Sequence, residues 1–405
     1  MPCADIDAAA RQSLVAPTGT APLDQLISAG QKVVVIVSDV TRQWLRYDLF
    51  LPVLLDALNE AGAADKDITL IVALGAHRVQ SETEHEAVYG AQVVRRVKII
   101  QSRVQDESAY QYVGKTTRGT PVSLNKAVLS ADRVILTGGI TYHSMAGFGG
   151  GRKAILPGIA SYETIQTNHR LCLHPITGHG LNPTCASGAL DGNPMHQDMM
   201  EIARMATPDF LLNVLMTADG EIAGFVAGHW EKAWLEGCRQ VERQFGIPIT
   251  KQTDAAVISA GGYPKDINFY QASKAIENAY LAVKPGGVLI ALMECRDIEE
   301  PSDFWQWFDL GSLEKMEAAL RQGFTVPGFV ALKLGYIAKK QHVIIVTRPE
   351  NASRFATTGM ETASTLEEAL KQGAAWLGKE NFELSIFPHA AATLPLLPER
   401  GSIEV

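Results

Sequence analysis

Within residues 139–170, GITYHSMAGFGGGRKAILPGIASYETIQTNHR, three side chains have the types that do chemistry: His143, Lys153 and His169. Histidine exchanges protons near neutral pH, because its ordinary pKa is about 6.5. The stretch from Gly147 to Lys153 is glycine-rich and ends in two cations, Arg152 and Lys153. Such a turn lets backbone approach a ligand closely and suggests an anion cradle in which Gly150 and Gly151 contribute. A tight turn with no ligand explains it equally well. It is neither a Walker A loop nor the G-x-G-x-x-G dinucleotide fingerprint. After Pro157-Gly158, Ser161 can cap a short helix running through Glu163 to His169, with Asn168 and His169 pointing back over the loop. Taken alone, His169 reads more readily as a helix-end histidine interacting with the dipole.

Elements that could position these groups follow from the apolar, β-branched runs. Strands are expected at 33–37, 68–74, 97–100, 134–137, 210–216, 255–259, 288–292, 343–347 and 384–387, mostly buried on both faces. Helical patterns alternate with them. Ser81 with Glu84 and Thr365 with Glu368 form capping boxes, and Lys284-Pro285-Gly286-Gly287 is expected to end a helix before a strand. The fold class is therefore α/β: two α/β domains with mostly parallel, Rossmann-like sheets and an active site expected in the cleft between them. A polar helical segment at 237–254 sets the boundary near 250. Residues 1–250 then form an N-terminal domain with the glycine loop, and 251–405 a C-terminal one.

Ligands of open α/β sheets bind beyond the carboxyl ends of strands. The first expected strand runs into Asp39, Thr41 and Arg42, the second into His77, and the fourth into His143. Burying such groups without a ligand would cost free energy, so together they read as a site, although each histidine alone is more often structural. In the second half, Gln271, Lys274 and Asn278 fall on one helix face beside Tyr270, as a solvated face or as a grip for a carboxylate. His174, His179, Cys185 and His196 match no standard zinc spacing. Phe304, Trp305 and Trp307 read as core packing.

With 405 residues the chain is too long for one core, which supports two domains. A net charge of −8 and scattered cations leave no footprint for nucleic acid. No apolar run has the length of a membrane span, and the amino terminus does not follow a signal-peptide order, so a cytoplasmic protein without a membrane partner is expected. The five cysteines form no C-x-x-C pair and read as reduced and mostly structural.

Taken jointly, SDVTR at 38–42, GAHR at 75–78, YHSMAGFGGGRK at 142–153, NHR at 168–170 and GGYPKDINFYQASKAIENA at 261–279 resemble the nickel-dependent lactate racemase family. The resemblance implies a nickel-pincer nucleotide: a pyridinium-3-thioamide-5-thiocarboxylic acid mononucleotide that holds nickel through two sulfurs and a ring carbon. It implies that Lys153 forms the covalent thioamide link and that His169 is the protein's nickel ligand. Racemisation or epimerisation of a 2-hydroxy acid would follow, with His77 and His143 alternating as base and acid while the α-hydrogen passes reversibly as hydride to the pyridinium ring. Arg42, Gln271 and Lys274, with Tyr270 near them, match positions that bind the substrate. Asp39 and Thr41 would help to orient Arg42 or the nucleotide. Gly149 departs from a serine common in the family. Tyr142, Met145, Tyr270, Trp305 and the 174–196 loop are the places where selectivity among acids would arise, and cofactor-synthesis proteins are the implied transient partners. An NAD-dependent 2-hydroxy-acid dehydrogenase and a non-catalytic nucleotide or metal carrier are the alternatives.

Overall fold

The computed structural model describes residues 1–398. The chain forms two compact units, Met1–His169 with Ala189–Glu242, and Arg170–Gly188 with the chain from Arg243 onward. Residues 170–188, expected within the first domain, thus pack with the second unit.

The first unit is built on a six-stranded sheet in the order Ile222–Gly228, Phe210–Met216, Arg133–Gly139, Val33–Ser38, Ile68–Ala73, Lys98–Gln101. Its neighbours are parallel except for the pair 210–216 and 222–228, with Val35 facing Leu70 on one side and Ile135 on the other. Val33 to Val37 are buried because helices cover both faces of a parallel sheet. The edge strand Lys98–Gln101 is only partly buried. Helix Tyr47–Glu60 packs Phe50, Leu51, Val53, Leu54, Leu55 and Leu58 into the core, apolar residues at three- and four-residue spacing. It ends where Gly62 turns the chain with φ of 110°. The chain leaves strand 33–38 toward 68–73 on one side, while 133–139 lies on the other. Their carboxyl ends, Ser38 and Gly139, therefore border a topological switch point.

The second unit holds a parallel five-stranded sheet in the order Glu361–Ala363, His342–Val346, Val283–Leu292, Thr253–Ser259, Leu384–Phe387. One expectation is corrected here. Residues 284–287 do not close a helix before a strand; they bulge out of strand Val283–Leu292, whose register on its neighbour jumps from Thr253–Val283 to Ala255–Val288. Gly287 fits there because a Cβ would stand 2.5 Å from the Asp254 carbonyl. The helix expected through 254 stops at Phe245, and Gly246–Pro248 pairs with Leu394–Leu396. The Ser81 capping box is complete. At Thr365 the hydroxyl accepts from the Glu368 amide, while the Glu368 carboxylate takes the amide of Ser364. Phe304, Trp305 and Trp307 are buried as expected, and Phe269 and Phe355 join the first two rings. Of the five free cysteines, all but Cys3 are buried. Among the described residues no helix is long and apolar enough to cross a membrane.

Candidate active site

Side chains that the sequence did not single out brace the end of strand Val33–Ser38. Tyr47 Oη takes the Ser38 amide at 3.0 Å and meets Thr137 Oγ1 at 3.1 Å, while Tyr89 Oη donates to the Ser38 carbonyl at 2.8 Å. Gln80 accepts the Val40 amide at 2.6 Å and so ties the loop after strand 68–73 to the loop after 33–38. Between these supports lies Asp39. Its Oδ1 accepts from the amide and hydroxyl of Thr41, at 3.1 and 2.5 Å, and its Oδ2 lies 2.5 Å from His77 Nδ1. Burial raises the Asp39 pKa, but the bonds from His77 and Thr41 and the charges of His77 and Arg42 outweigh it and hold the carboxyl below its usual range. An ionised carboxylate only accepts, so Nδ1 of His77 carries hydrogen and its Nε2 presents a lone pair when the ring is neutral. Arg42 bonds back to Thr41 through one terminal nitrogen and is otherwise exposed.

The glycine loop is a hairpin, Tyr142–His143 against Gly147–Phe148, followed by a turn of 3-10 helix at Gly151–Ala154. Arg152 is fully buried inside it. Its guanidinium donates to the carbonyls of Phe148 and Ala146 at 2.8 and 2.6 Å and stacks 4.0 Å from the Trp234 ring, and among the described residues no carboxylate pairs with it. Trp234 Nε1 in turn donates to the Gly149 carbonyl. Protein groups account for the two cradle glycines. A Cβ on Gly151 would stand 2.5 Å from the Trp234 ring, and one on Gly150 would stand 2.6 Å from Asn213 Oδ1. The amides of Gly149, Gly151 and Lys153 are already used, on Thr141 O, Asn213 Oδ1 and Gly150 O. What the loop presents is therefore side chains more than backbone donors: Lys153 Nζ lies 2.9 Å from His143 Nε2, while His143 Nδ1 accepts the amides of Met145 and Ala146. Burial, then the charges of Lys153, Arg152, Arg42 and His169, push the His143 pKa well below its ordinary value.

His169 ends helix Tyr162–His169, with the Ser161 hydroxyl at the helix start as expected. Its Nδ1 meets the Ile165 carbonyl at 2.8 Å, which places hydrogen there and the lone pair on Nε2. Burial first and Lys153 second bring its pKa down to about 3. Asn168 does not point over the loop. Its amide donates to Asp198 and to the Met195 carbonyl, and Asp198 also takes the hydroxyls of Thr116 and Thr120, so a fully buried carboxylate anchors the end of this helix.

In the second unit, Asn268 caps the turn Phe269–Ala272, and Lys274 Nζ donates to Gln271 Oε1 at 2.6 Å. Asn278 departs from them: it is buried and holds Ser187 and the Ala390 carbonyl. Tyr270 sits edge-on to Phe304 at 5.5 Å. Trp305, considered for selectivity, is buried and donates to the Ile298 carbonyl, and Met145 is also buried. The four-residue metal alternative does not assemble. His174 and His179 stack on one another at 4.9 Å, His196 packs on Trp234 in the first unit, and among the described residues no group of three or more His, Cys, Asp or Glu could hold a metal ion.

Residues 2–180 match the lactate racemase N-terminal domain, and 249–394 the lactate racemase C-terminal domain. Lactate racemase of Thermoanaerobacterium thermosaccharolyticum is 34% identical over 366 residues, 89% of this chain and 84% of that protein. Lactate racemase of Lactiplantibacillus plantarum is 33% identical over 376 residues, 91% of this chain and 86% of that one. The solved lactate racemase apoprotein from T. thermosaccharolyticum superposes with a TM-score of 0.88 at 30% identity, covering 98% of this chain and 94% of that chain. A Thermotoga maritima protein at 18% identity and a TM-score of 0.61, covering 93% of this chain and 96% of its own, shares the fold. The chain belongs to the lactate racemase family.

Proposed function

We propose that this protein racemises or epimerises a small 2-hydroxy acid, using a nickel-pincer nucleotide tethered to Lys153. The observation that carries the reading is the 2.9 Å contact of Lys153 Nζ with His143 Nε2 in the glycine loop, with the buried His169 close enough for Lys153 to depress its pKa. The donor set fits the group. A neutral His169 whose Nδ1 is fixed on a carbonyl is the usual form of a metal-ligating imidazole, and its softness and shape suit nickel. The buried charge of Arg152, unmatched by a carboxylate among the described residues, favours an anionic mononucleotide. Bound there, the nucleotide and its nickel would supply a reversible acceptor for the α-hydrogen, which no side chain of this protein provides.

The chain's own residues do the rest. Arg42 offers a planar fork suited to a carboxylate, and in the second unit Gln271 with Lys274 forms a polar pair suited to one as well. His77, held by Asp39 with its Nε2 lone pair outward, removes the hydroxyl proton from one enantiomer, and His143 does so for the other. Inversion needs a base and an acid in alternation, which accounts for two histidines. Incubating holoprotein with single enantiomers of lactate and of larger 2-hydroxy acids, and following optical rotation, tests the reading. Holoprotein that contains nickel and modified Lys153 yet racemises none of them would sink it.

A further inference from the structure

Sheet pairing stops just short of Asp39. The ladder between strands 33–38 and 68–73 ends at the pair Ser38 and Ala73, and the ladder with strand 133–139 ends at Ile36 and Leu136. Past those pairs other groups take over the backbone on both sides of Asp39. Ser38 gives its amide to Tyr47 Oη at 3.0 Å, and its carbonyl accepts the Tyr89 hydroxyl at 2.8 Å. The Asp39 carbonyl accepts the Arg42 amide at 2.9 Å, and the Val40 amide donates to Gln80 Oε1 at 2.6 Å. The peptide planes before and after Asp39 are both fixed in this way, and with them the direction in which its side chain leaves the backbone. Tyr89 and Gln80 flank one element, since Gln80 precedes the Ser81 cap of helix Glu82–Tyr89 and Tyr89 ends it. Gln80 is held in turn by Gln101, whose side chain accepts its amide at 2.8 Å and donates to its carbonyl at 3.0 Å. Both braces are buried. They converge on the residue whose Oδ2 lies 2.5 Å from His77 Nδ1, and Gln80 belongs to the same loop as His77.

We propose that Tyr89 and Gln80 are positioning residues for proton transfer: by fixing the peptides on either side of Asp39 they hold its carboxylate on His77 Nδ1, which keeps the hydrogen there and leaves the Nε2 lone pair for the substrate hydroxyl. This rests on the role of His77 as a base in the racemisation proposed above. Neither residue acts on substrate directly; each acts through Asp39. A carboxylate only accepts, so its position decides which nitrogen of the neutral ring bears hydrogen. A catalytic group displaced by about 1 Å loses on the order of 100-fold in rate, which sets the range open to a slackened clamp.

The clamp is tested on full-length apoprotein carrying nitrogen-15 histidine, at about pH 9, where ordinary imidazoles are neutral and long-range nitrogen–proton spectra distinguish a protonated from a bare ring nitrogen. The His77 signals are those missing from His77→Gln. Wild-type His77 is expected to carry its hydrogen on Nδ1. Tyr89→Phe and Gln80→Met each remove one brace and should raise the share of the Nε2–H form by about 10-fold, the worth of one hydrogen bond. In holoprotein kcat should fall by about 10-fold or more from either enantiomer, with KM and nickel content unchanged. Val93→Ala, at a buried position of the adjoining helix Ala91–Arg96, lowers stability without touching the clamp and should leave the tautomer as in wild type. A wild-type ring with its hydrogen on Nε2 overturns the proposal whether or not the variants fold. So do folded variants with an unmoved tautomer, or a Val93→Ala that moves it equally. Racemisation with an unmoved tautomer sinks the clamp and keeps the racemase, whereas a moved tautomer in a protein whose holo form racemises no 2-hydroxy acid keeps the clamp and sinks that reading.

Discussion

Asp39 holds Thr41 with one oxygen and His77 with the other, so in the proposed reaction it would act on proton transfer more directly than on the nucleotide or on Arg42. In Asp39→Asn the amide would face Nδ1 with a donor and invite the opposite tautomer of His77, closing the Nε2 lone pair to the substrate. Turnover is expected to fall by about 100-fold or more with KM little changed, while nickel content and the mass on Lys153 stay at wild-type levels. Loss of nickel and mass instead would return Asp39 to the nucleotide. Replacing His77 by Gln should likewise spare the cofactor and remove racemisation; a variant that keeps turnover would rule out its role as a base. Aspartate and histidine were both visible in the sequence at strand ends, but their pairing was not. They lie 38 positions apart, and only parallel pairing of strands 33–38 and 68–73 brings their loops side by side.

Glycines of the loop differ in what they do, and substitution separates them. Gly151 has φ of 52° and would drive a Cβ into the Trp234 ring, so Gly151→Ala is expected to lower stability by about 1–3 kcal/mol. Gly149 has ordinary contacts of 3.4 Å and longer around its Cβ direction, so Gly149→Ala should stay within about 1 kcal/mol of wild type. Urea unfolding of both variants measures this, and equal destabilisation would contradict the packing account. The element also explains why a glycine-rich sequence was ambiguous between a cradle and a turn. Its composition permits both, and the choice depends on Asn213 and Trp234, which arrive from a distant strand and helix to occupy the amide of Gly151 and the carbonyl of Gly149.

Across the whole molecule, His169 and His196 are buried and neutral, with pKa values brought down to about 3 and about 2, by burial first and then by Lys153 for the former and by Arg152 and Arg204 for the latter. Because the unfolded chain binds these protons near pH 6.5 and the folded one does not, stability is fully present above about pH 6.5 and declines as pH falls toward the folded values. At pH 5 each histidine should cost about 2 kcal/mol, so urea midpoints of the apoprotein should drop steadily from pH 7 to pH 5, and a flat profile would contradict burial of neutral rings. The interior parallel strands were legible because a strand covered on both faces must be apolar at every position. Strand Ile222–Gly228 and the short Glu361–Ala363 were not, since their pairing, more than their composition, makes them strands. By itself, the sequence determined the α/β class, the strand ends that carry reactive groups, and the spacing of His143, Lys153 and His169. Only the tertiary structure decided which partner each group has: His77 on Asp39, Asn168 on Asp198, Arg152 on its own loop's carbonyls and Trp234. Residue types specify what a side chain is able to donate or accept, but the partner is chosen by packing between segments far apart in the chain, and with it the place of each proton.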